Sequence, residues 1–283
     1  MSRVAIVTDS ASDLPPAIAA AAGIAIVPLI VNFGPQTFKA GVDLSTEQFW
    51  QRMTAPDAPF PTTAASAPGE FKAVYDRAFA DGADAIVSIH VAGSLSATLK
   101  SAEIAKGMLP NREIHIVDSG SASMGEGILA QIGAEMAATG ASAAEIARAL
   151  DDRKKDLDLY VALDTLEYLK KGGRISGARA AIGTLLSVKP IITIRDGAVE
   201  TADKPRTRGK ARERTIELLV QRPIERLAIL FTPPADAESF RDEVVARAGS
   251  QLDPKNVSFQ PVGASVGPHI GPGCLGAVVL YAR

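Results

Sequence analysis

The 283-residue sequence is poor in the residue types that mark several common classes of protein. It has one cysteine, Cys274, so no internal disulfide can form, and aromatic residues make up only 5% of the chain. No apolar run reaches the ~18–20 residues that a membrane span needs. We therefore expect neither a disulfide-stapled fold nor a membrane span. The start MSRVAIVTDS lacks a signal-peptide pattern, which predicts a cytoplasmic location.

The sequence also has no large excess of positive or negative charge. Thirty basic residues face 32 acidic ones, which leaves a net charge of -2 and no broad electrostatic footprint for nucleic acid or an anionic membrane. One basic segment, Lys204 to Arg214, alternates regularly, but it has no interleaved aromatic residues for base stacking. It predicts a solvated face or a surface for an acidic partner.

Motifs that would announce an enzyme are missing from the sequence. There is no Gly-x-x-x-x-Gly-Lys-Ser/Thr phosphate loop, no Gly-x-Ser-x-Gly elbow and no zinc-ligand spacing. Cys274 lies in a Gly-Pro-Gly-Cys-Leu-Gly setting without a nucleophile signature, and we assign it to packing. We accordingly expect no metal, no cofactor and no catalytic residue.

Hydrophobic residues make up 47% of the chain, enough for a well-buried core, and they recur in a pattern. Short apolar, β-branched segments are each followed by a polar loop and a helical segment. The strands predicted in this way are Val4–Val7, Ala85–Ile89 and Ile114–Val117, and the helices are Pro15–Ala22, Ala97–Met108 and Gly127–Ala138. Three such units predict a parallel sheet, with ligands bound beyond the carboxyl ends of its strands.

A second lobe is predicted to begin at Asp158. The predicted elements there are the strand Leu159–Leu163, the helix Leu166–Lys171 stopped by Gly172-Gly173, the segment Gly177–Leu186, the strand Lys189–Ile194 and a hairpin turn at Arg195–Ala198. The segment Thr54–Pro68 holds four prolines, which predicts a rigid loop. We expect an α/β protein with lobes at 1–157 and 158–283.

Several motifs then occur in a characteristic order: Thr8-Asp9-Ser10, Val117-Asp118-Ser119, LEYLKKGGRI at Leu166–Ile175, Lys189-Pro190 and HIGPG at His269–Gly273. In this order the chain resembles the DegV family from end to end. The resemblance implies a Rossmann-like N-terminal lobe, a C-terminal α/β lobe and a long-chain fatty acid in an apolar tunnel between them. It further implies a carrier that is not itself an enzyme and is similar to the carrier subunit of bacterial fatty acid kinase, which presents the acyl carboxylate to a separate catalytic subunit.

The same resemblance assigns roles to individual positions. Thr63, Ser96 and His269 match the residues that hold the carboxylate, and Arg174 and Arg206 match basic positions near the head group or the kinase contact. Two hydroxyls and an imidazole N–H suit this task, because a carboxylate that loses its hydration needs hydrogen-bond donors. The chain departs from the usual pattern where Ala40, Ala64 and Ala97 replace more polar or smaller residues.

Other interpretations of these residues remain open at this stage. Hydroxyls such as those of Thr63 and Ser96 are common in turns and helix caps. The strand-end residues Asp9 and Asp118 suit capping, but they would also suit acid–base chemistry in a small-molecule phosphotransferase or hydrolase. A third alternative is a regulatory module that binds an acidic partner through the basic segment.

Overall fold

A computed structural model of the chain describes residues 3–175, 188–249 and 252–283. The segment predicted at Gly177–Leu186 lies outside these described residues. The strands are β1 Val4–Asp9, β2 Ile24–Val27, β3 Ile30–Phe33, β4 Gln36–Lys39, β5 Thr62–Ala64, β6 Ala85–His90, β7 Glu113–Asp118, β8 Leu157–Ala162, β9 Ile191–Arg195, β10 Ala198–Asp203, β11 Ile224–Phe231, β12 Val257–Pro261 and β13 Leu275–Tyr281. The helices are α1 Pro16–Ala21, α2 Thr46–Met53, α3 Pro68–Ala80, α4 Thr98–Gly107, α5 Met124–Ala138, α6 Ala143–Arg153, α7 Glu167–Lys171, α8 Arg208–Leu219, α9 Ala237–Ala248 and α10 Gly267–Ile270.

The N-terminal part forms a four-stranded parallel sheet in the order β2-β1-β6-β7. This confirms the parallel sheet predicted from the βα units. Strand β6 is buried along its whole length, as expected for an inner strand covered on both faces. Because β1 and β6 are neighbours, the polar loops that follow them emerge side by side at one edge of the sheet.

A small antiparallel sheet, in the order β4-β3-β5, was not predicted from the sequence. Its strands are only three or four residues long and carry no clear alternation of polar and apolar residues. The prediction of a rigid loop at Thr54–Pro68 is wrong at two points, because β5 pairs with β3 within it and Pro68 begins α3. Proline is well suited to the first turn of a helix, where its missing N–H has no partner to lose.

The C-terminal part forms a six-stranded mixed sheet in the order β10-β9-β8-β13-β11-β12. The predicted hairpin is present: β9 and β10 pair antiparallel across Asp196-Gly197, and both turn residues have positive φ, 49° and 72°. These angles suit a two-residue hairpin turn, for which Asp-Gly is a favoured sequence. The single-turn helix α10 lies in the segment between β12 and β13.

Helix α5 lies between the two larger sheets and joins their cores. One continuous cluster of buried side chains includes Ile6 of β1, Leu129 of α5 and Val278 of β13. Helices α3 and α4 cover the other face of the parallel sheet, and α8 and α9 cover the other face of the mixed sheet. The result is an α/β fold with two lobes, although the predicted boundary at residues 157 and 158 remains a prediction. Among the described residues, no helix is long and apolar enough to cross a membrane.

Candidate functional site

A cavity of about 350 Å³ lies beyond the carboxyl ends of β1 and β6, where the loops of the parallel sheet meet the mixed sheet. Most of its wall is apolar. The larger apolar side chains are Leu29, Val91, Leu95, Leu159, Val161, Leu169, Ile192, Ile194, Val199, Leu230, Val262, Val266 and Ile270. The polar residues of the wall are Thr63, Ser96, Ser123, Arg174, Ser265 and His269. An elongated apolar ligand with one polar end would match this distribution.

Thr63 and His269 are in direct contact at the cavity wall. The Thr63 Oγ1 and His269 Nε2 atoms are 2.9 Å apart, which joins β5 of the small sheet to α10. Thr63 is held in place because it pairs with Val31 across the β3–β5 ladder. Histidine Nδ1, in contrast, is buried and has no hydrogen-bond partner among the described residues. A buried polar nitrogen without a partner is costly, so Nδ1 leaves one hydrogen bond of this histidine unmet.

The imidazole of His269 is neutral at pH 7. Burial, and secondly the charge of the nearby Arg174 guanidinium, lower its pKa to about 4. The ring therefore offers one N–H group and one lone pair, and not a full positive charge. The permanent positive charge at this end of the cavity belongs to Arg174.

Arg174 is fixed at the cavity wall by backbone carbonyl groups. Its Nε donates to Leu95 O at 3.0 Å, and its Nη1 donates to Gly172 O at 2.6 Å. Leu95 immediately precedes Ser96, so this side chain ties the segment after α7 to the loop after β6. A guanidinium held in this way is available to bind an anion without losing much side-chain entropy on binding.

Ser96 lines the cavity and also performs capping chemistry. Its Oγ accepts the backbone N–H of Thr98 at 3.2 Å and lies 2.8 Å from the Thr98 hydroxyl. If Thr98 donates to Ser96, the Ser96 hydroxyl proton remains available to a ligand in the cavity. The capping interpretation and the binding interpretation are therefore compatible for this residue.

The structure does not bring Arg206 to the cavity. Arg206 is exposed, and it lies between β10 and α8, away from the residues that form the wall. Much of the basic segment around it is paired with carboxylates: Arg208 with Asp164, Arg212 with Glu243 and Arg214 with Asp203. The alternating basic residues thus belong largely to surface ion pairs of this chain.

The two strand-end aspartates have structural roles and do not line the cavity. Asp9 Oδ1 accepts the N–H of Ala11 at 2.8 Å, and Asp118 Oδ1 accepts the N–H of Gly120 at 2.8 Å. Burial raises the pKa of the Cys274 thiol to about 12, and this thiol donates to Ile270 O. Cys274 is therefore a protonated core residue and not a nucleophile.

Sequence reasoning missed part of the site. Ser123 and Ser265 are buried in the cavity wall, but they stand in unremarkable contexts, and only the tertiary fold shows where they lie. It also missed a fully buried cluster of Asp9, His90 and Glu126 behind the wall. Ala64, Ala65 and Ala97 line the cavity, whereas Ala40 is buried against Trp50 in another cluster.

Comparison with known proteins identifies the family. A family model described as an uncharacterised protein of the DegV family matches residues 3–282. The chain belongs to the DegV family. A DegV domain-containing protein of Streptomyces coelicolor is 36% identical over 99% of both chains. This extent of matching covers every element described above.

Solved structures with the same fold include proteins that are described as binding fatty acids. A structure described as fatty acid binding of a DegV family protein from Thermus thermophilus has 33% identity and a TM-score of 0.89, and the match covers 99% of this chain and 100% of that one. A stearic acid-binding protein from Eubacterium ventriosum has 25% identity and a TM-score of 0.88, with 99% and 98% of the two chains covered.

Proposed function

We propose that this DegV protein is a carrier that binds one long-chain fatty acid in the cavity between its two lobes. The observation that supports this most is the composition of the wall: apolar side chains of the mixed sheet and of the loops after the parallel strands predominate, and Thr63, Ser96, His269 and Arg174 add polar groups. Burial of an acyl chain contributes about 0.8 kcal/mol per methylene, so such a wall favours a lipid strongly. Fatty acid binding by the DegV relatives supports the same ligand class.

In this proposal the carboxylate of the ligand meets donors that are already positioned. Ser96 supplies a hydroxyl, and Thr63 supplies a second one next to the imidazole. With the proton of the neutral imidazole on Nδ1, His269 would supply an N–H in place of the Thr63 hydroxyl, which would then donate to Nε2. Arg174 supplies the positive charge that compensates the carboxylate. Charge-assisted hydrogen bonds of this kind contribute roughly 1.5–3 kcal/mol each.

We further propose that the carrier presents this carboxylate to a separate kinase. The kinase would transfer the terminal phosphoryl group of ATP to a carboxylate oxygen, with release of ADP, to form an acyl phosphate. Arg206 is exposed outside the cavity and is a candidate contact for that partner. The lobes at 1–157 and 158–283 then act as the two halves of the binding site.

The alternative function is a phosphotransferase or hydrolase acting at the strand-end Asp-Ser loops. Asp9 and Asp118 both accept backbone N–H groups and lie outside the cavity wall, which favours the carrier. Turnover of ATP or an acyl phosphate by the purified chain alone would favour the alternative. Activity that requires an added kinase subunit would favour the carrier.

The decisive experiment is native mass spectrometry of protein purified without added lipid, followed by solvent extraction. We expect a mass increment of one fatty acid per chain and recovery of that acid in the extract. A delipidated sample should regain the increment with palmitate or oleate. A protein that stays without ligand in both experiments would refute the carrier proposal.

A further inference from the structure

Behind the cavity wall, three ionisable side chains are packed together without any exposure to solvent. Asp9 ends β1, His90 ends β6 and Glu126 lies in the first turn of α5. One donor or acceptor atom from each lies within 4.8 Å of the other two. Buried charges of this kind are costly unless they are paired or neutralised. The hydrogen bonds within the cluster therefore determine how many protons its three side chains hold.

One side of the cluster forms a chain of hydrogen bonds that ends at Asp9. The Tyr75 hydroxyl donates to Ser88 Oγ at 2.9 Å, and Ser88 Oγ lies 2.7 Å from His90 Nε2. With Tyr75 as one donor to Ser88 Oγ, the Ser88 hydroxyl can donate its own proton to His90 Nε2. The remaining nitrogen, Nδ1, then carries the imidazole proton and donates it to Asp9 Oδ2 at 3.0 Å.

Asp9 connects this cluster to the cavity. Its Oδ1 accepts the N–H of Ala11 at 2.8 Å, and its Oδ2 accepts the N–H of Val91 at 3.3 Å. Ala11 and Val91 both form part of the cavity wall, whereas Asp9 itself does not. The position of one carboxylate therefore determines the position of two segments that a bound acyl chain would touch.

The other side of the cluster leaves one oxygen without a partner. Glu126 Oε1 accepts the Thr8 hydroxyl at 2.6 Å and the N–H of Asp9 at 3.2 Å. Glu126 Oε2 is buried and has no hydrogen-bond partner among the described residues. Burial, and secondly the charge of Asp9, raise the pKa of Glu126 well above its usual value of 4.5. A proton on Oε2 would resolve both the missing partner and the repulsion.

We propose that Glu126 is a positioning residue of the acyl cavity: as the neutral acid it donates from Oε2 to Asp9, whose carboxylate holds Ala11 and Val91 in place. This inference rests on the proposed function insofar as the cavity holds an acyl chain. When Glu126 ionises, two adjacent carboxylates repel each other in a site without solvent, and Asp9 loses its fixed position. Ligand retention thereby becomes dependent on one buried proton.

The groups that face Glu126 favour a proton at this point and not a cation. Asp9 comes from β1 and His90 from β6, and Tyr75 of α3 joins the cluster through Ser88. Asp13, in the turn after β1, adds a further acidic group beside Asp9. N–H groups already point at both oxygens of Asp9, which leaves poor access for a metal ion between them. Arg226 of β11 pairs with Glu135, two turns further along α5.

The test uses the whole chain with Glu126→Gln and Glu126→Ala. Glutamine has the shape of the protonated acid and carries a permanent N–H₂ donor, whereas alanine removes the donor. Binding of palmitate to delipidated protein is measured by calorimetry from pH 6 to pH 9. We expect Glu126→Gln to bind within about two-fold of the wild type at pH 6 and to keep that affinity at pH 9. Wild-type affinity should fall as the pH rises, and Glu126→Ala should bind at least ten-fold more weakly at every pH.

Thermal unfolding of the ligand-free proteins supplies a second readout. Because the pKa of Glu126 is higher in the folded chain than in the unfolded chain, the wild type should lose stability relative to Glu126→Gln as the pH rises above about 4.5. Parallel pH profiles for the two proteins would overturn the proposal, even if Glu126→Ala failed to fold. So would a stoichiometric metal in the wild type that is absent from Glu126→Gln. A wild type that binds neither palmitate nor oleate would refute the carrier function, while the unfolding comparison would still test the proton on Glu126.

Discussion

His269 lies between a hydroxyl and a guanidinium, and both neighbours affect the proton that it carries. Thr63 binds its Nε2, and Arg174 disfavours the charged ring. With a pKa of about 4, the imidazole remains neutral over the range in which most histidines titrate. His269 thus adds no change of charge to the cavity wall between pH 6 and pH 8.

Replacing Ser96 tests the hydroxyl of the loop after β6. Ser96→Ala should weaken fatty acid binding by roughly 1–3 kcal/mol, the usual penalty when a buried charge loses a hydrogen-bond partner. Titration calorimetry with palmitate measures the change. Ser94→Ala is a matched control, because the Ser94 hydroxyl donates to Gly197 O and does not line the cavity. Equal affinities of wild type and Ser96→Ala would remove Ser96 from the site.

Substitution of Arg174 and substitution of Arg206 should have different effects, because only Arg174 lines the cavity. Arg174→Ala should weaken fatty acid binding at least ten-fold, because it removes the positive charge at the polar end of the cavity. Arg206→Ala should leave binding unchanged, because Arg206 is exposed outside the cavity, and should reduce phosphorylation by an added kinase. Equilibrium binding and a coupled kinase assay on both variants measure these effects. A loss of binding in Arg206→Ala would contradict this assignment.

For single residues, the sequence predicted site positions only where motifs follow one another in a recognisable order along the chain. The resemblance assigned Thr63, Ser96 and His269 to the carboxylate and Arg174 and Arg206 to the head group or the kinase contact, and all of these except Arg206 line one cavity. The partner of Glu126 is Thr8, 118 residues earlier, and no local pattern links them. Contacts of that kind depend on the packing of α5 onto β1, which a sequence pattern does not specify.

The short helices α7 and α10 pack closely against each other, and glycine residues at their ends leave room for His269 and Tyr168. A Cβ atom on Gly172 would lie 2.2 Å from His269 Nδ1, and one on Gly271 would lie 2.2 Å from the Tyr168 ring. Gly271 also has a φ of 77°, which favours glycine on conformational grounds. Gly172 has an ordinary helical conformation, so only the contact with His269 requires its small size.

Gly172→Ala therefore tests this helix pair without changing the backbone preference. The added methyl group should displace His269 and cost about 1–3 kcal/mol in unfolding free energy, as expected for overpacking. Affinity for palmitate should fall in parallel. The control is Gly69→Ala in α3, where no atom lies within 4 Å of the new Cβ and the change should be neutral or slightly stabilising. Chemical denaturation and calorimetry measure both quantities, and indistinguishable results for the two variants would contradict the predicted contact.

Elements with strong periodicity were predictable, and short ones were not. The strands β1, β6 and β7 and the hairpin at Asp196-Gly197 follow from apolar runs and turn chemistry. The small sheet that carries Thr63 does not, because its strands β3, β4 and β5 depend on one another for pairing more than on local propensity. The position of Thr63 in the structure thus rests on tertiary contacts.

At the scale of the whole molecule, Asp13 connects the N-terminal and C-terminal parts of the chain through two hydrogen bonds. Its Oδ2 accepts the Ser123 hydroxyl, and its Oδ1 accepts the N–H of Gly263 at 2.8 Å. Ser123 and the Gly263 loop border the cavity from opposite lobes. Burial raises the pKa of Asp13 to about 7, so the carboxyl group in this connection changes charge near neutral pH.

The sign of the pH effect follows from the direction of this shift. Between pH 4 and pH 7 the folded chain holds a proton on Asp13 that the unfolded chain releases, so the free energy of unfolding should fall as the pH rises. Asp13→Asn should reduce this dependence, which Glu126 shares, and gain on the order of 1–3 kcal/mol relative to the wild type at pH 8. Thermal unfolding at pH 5 and pH 8 measures the difference. Identical pH slopes in the two proteins would show that Asp13 does not carry this proton.

The continuous core around α5 has a consequence for the lifetime of the protein. Because the cavity wall draws on the mixed sheet and on the loops after the parallel strands, an acyl chain inside it would complete the interior that the two lobes share. A ligand that binds only the folded state adds RT ln(1 + [L]/Kd) to the free energy of unfolding. Filled molecules would then open less often and expose fewer sites to proteases than empty ones. The amount of this protein in a cell would follow the supply of its lipid without any change in its synthesis.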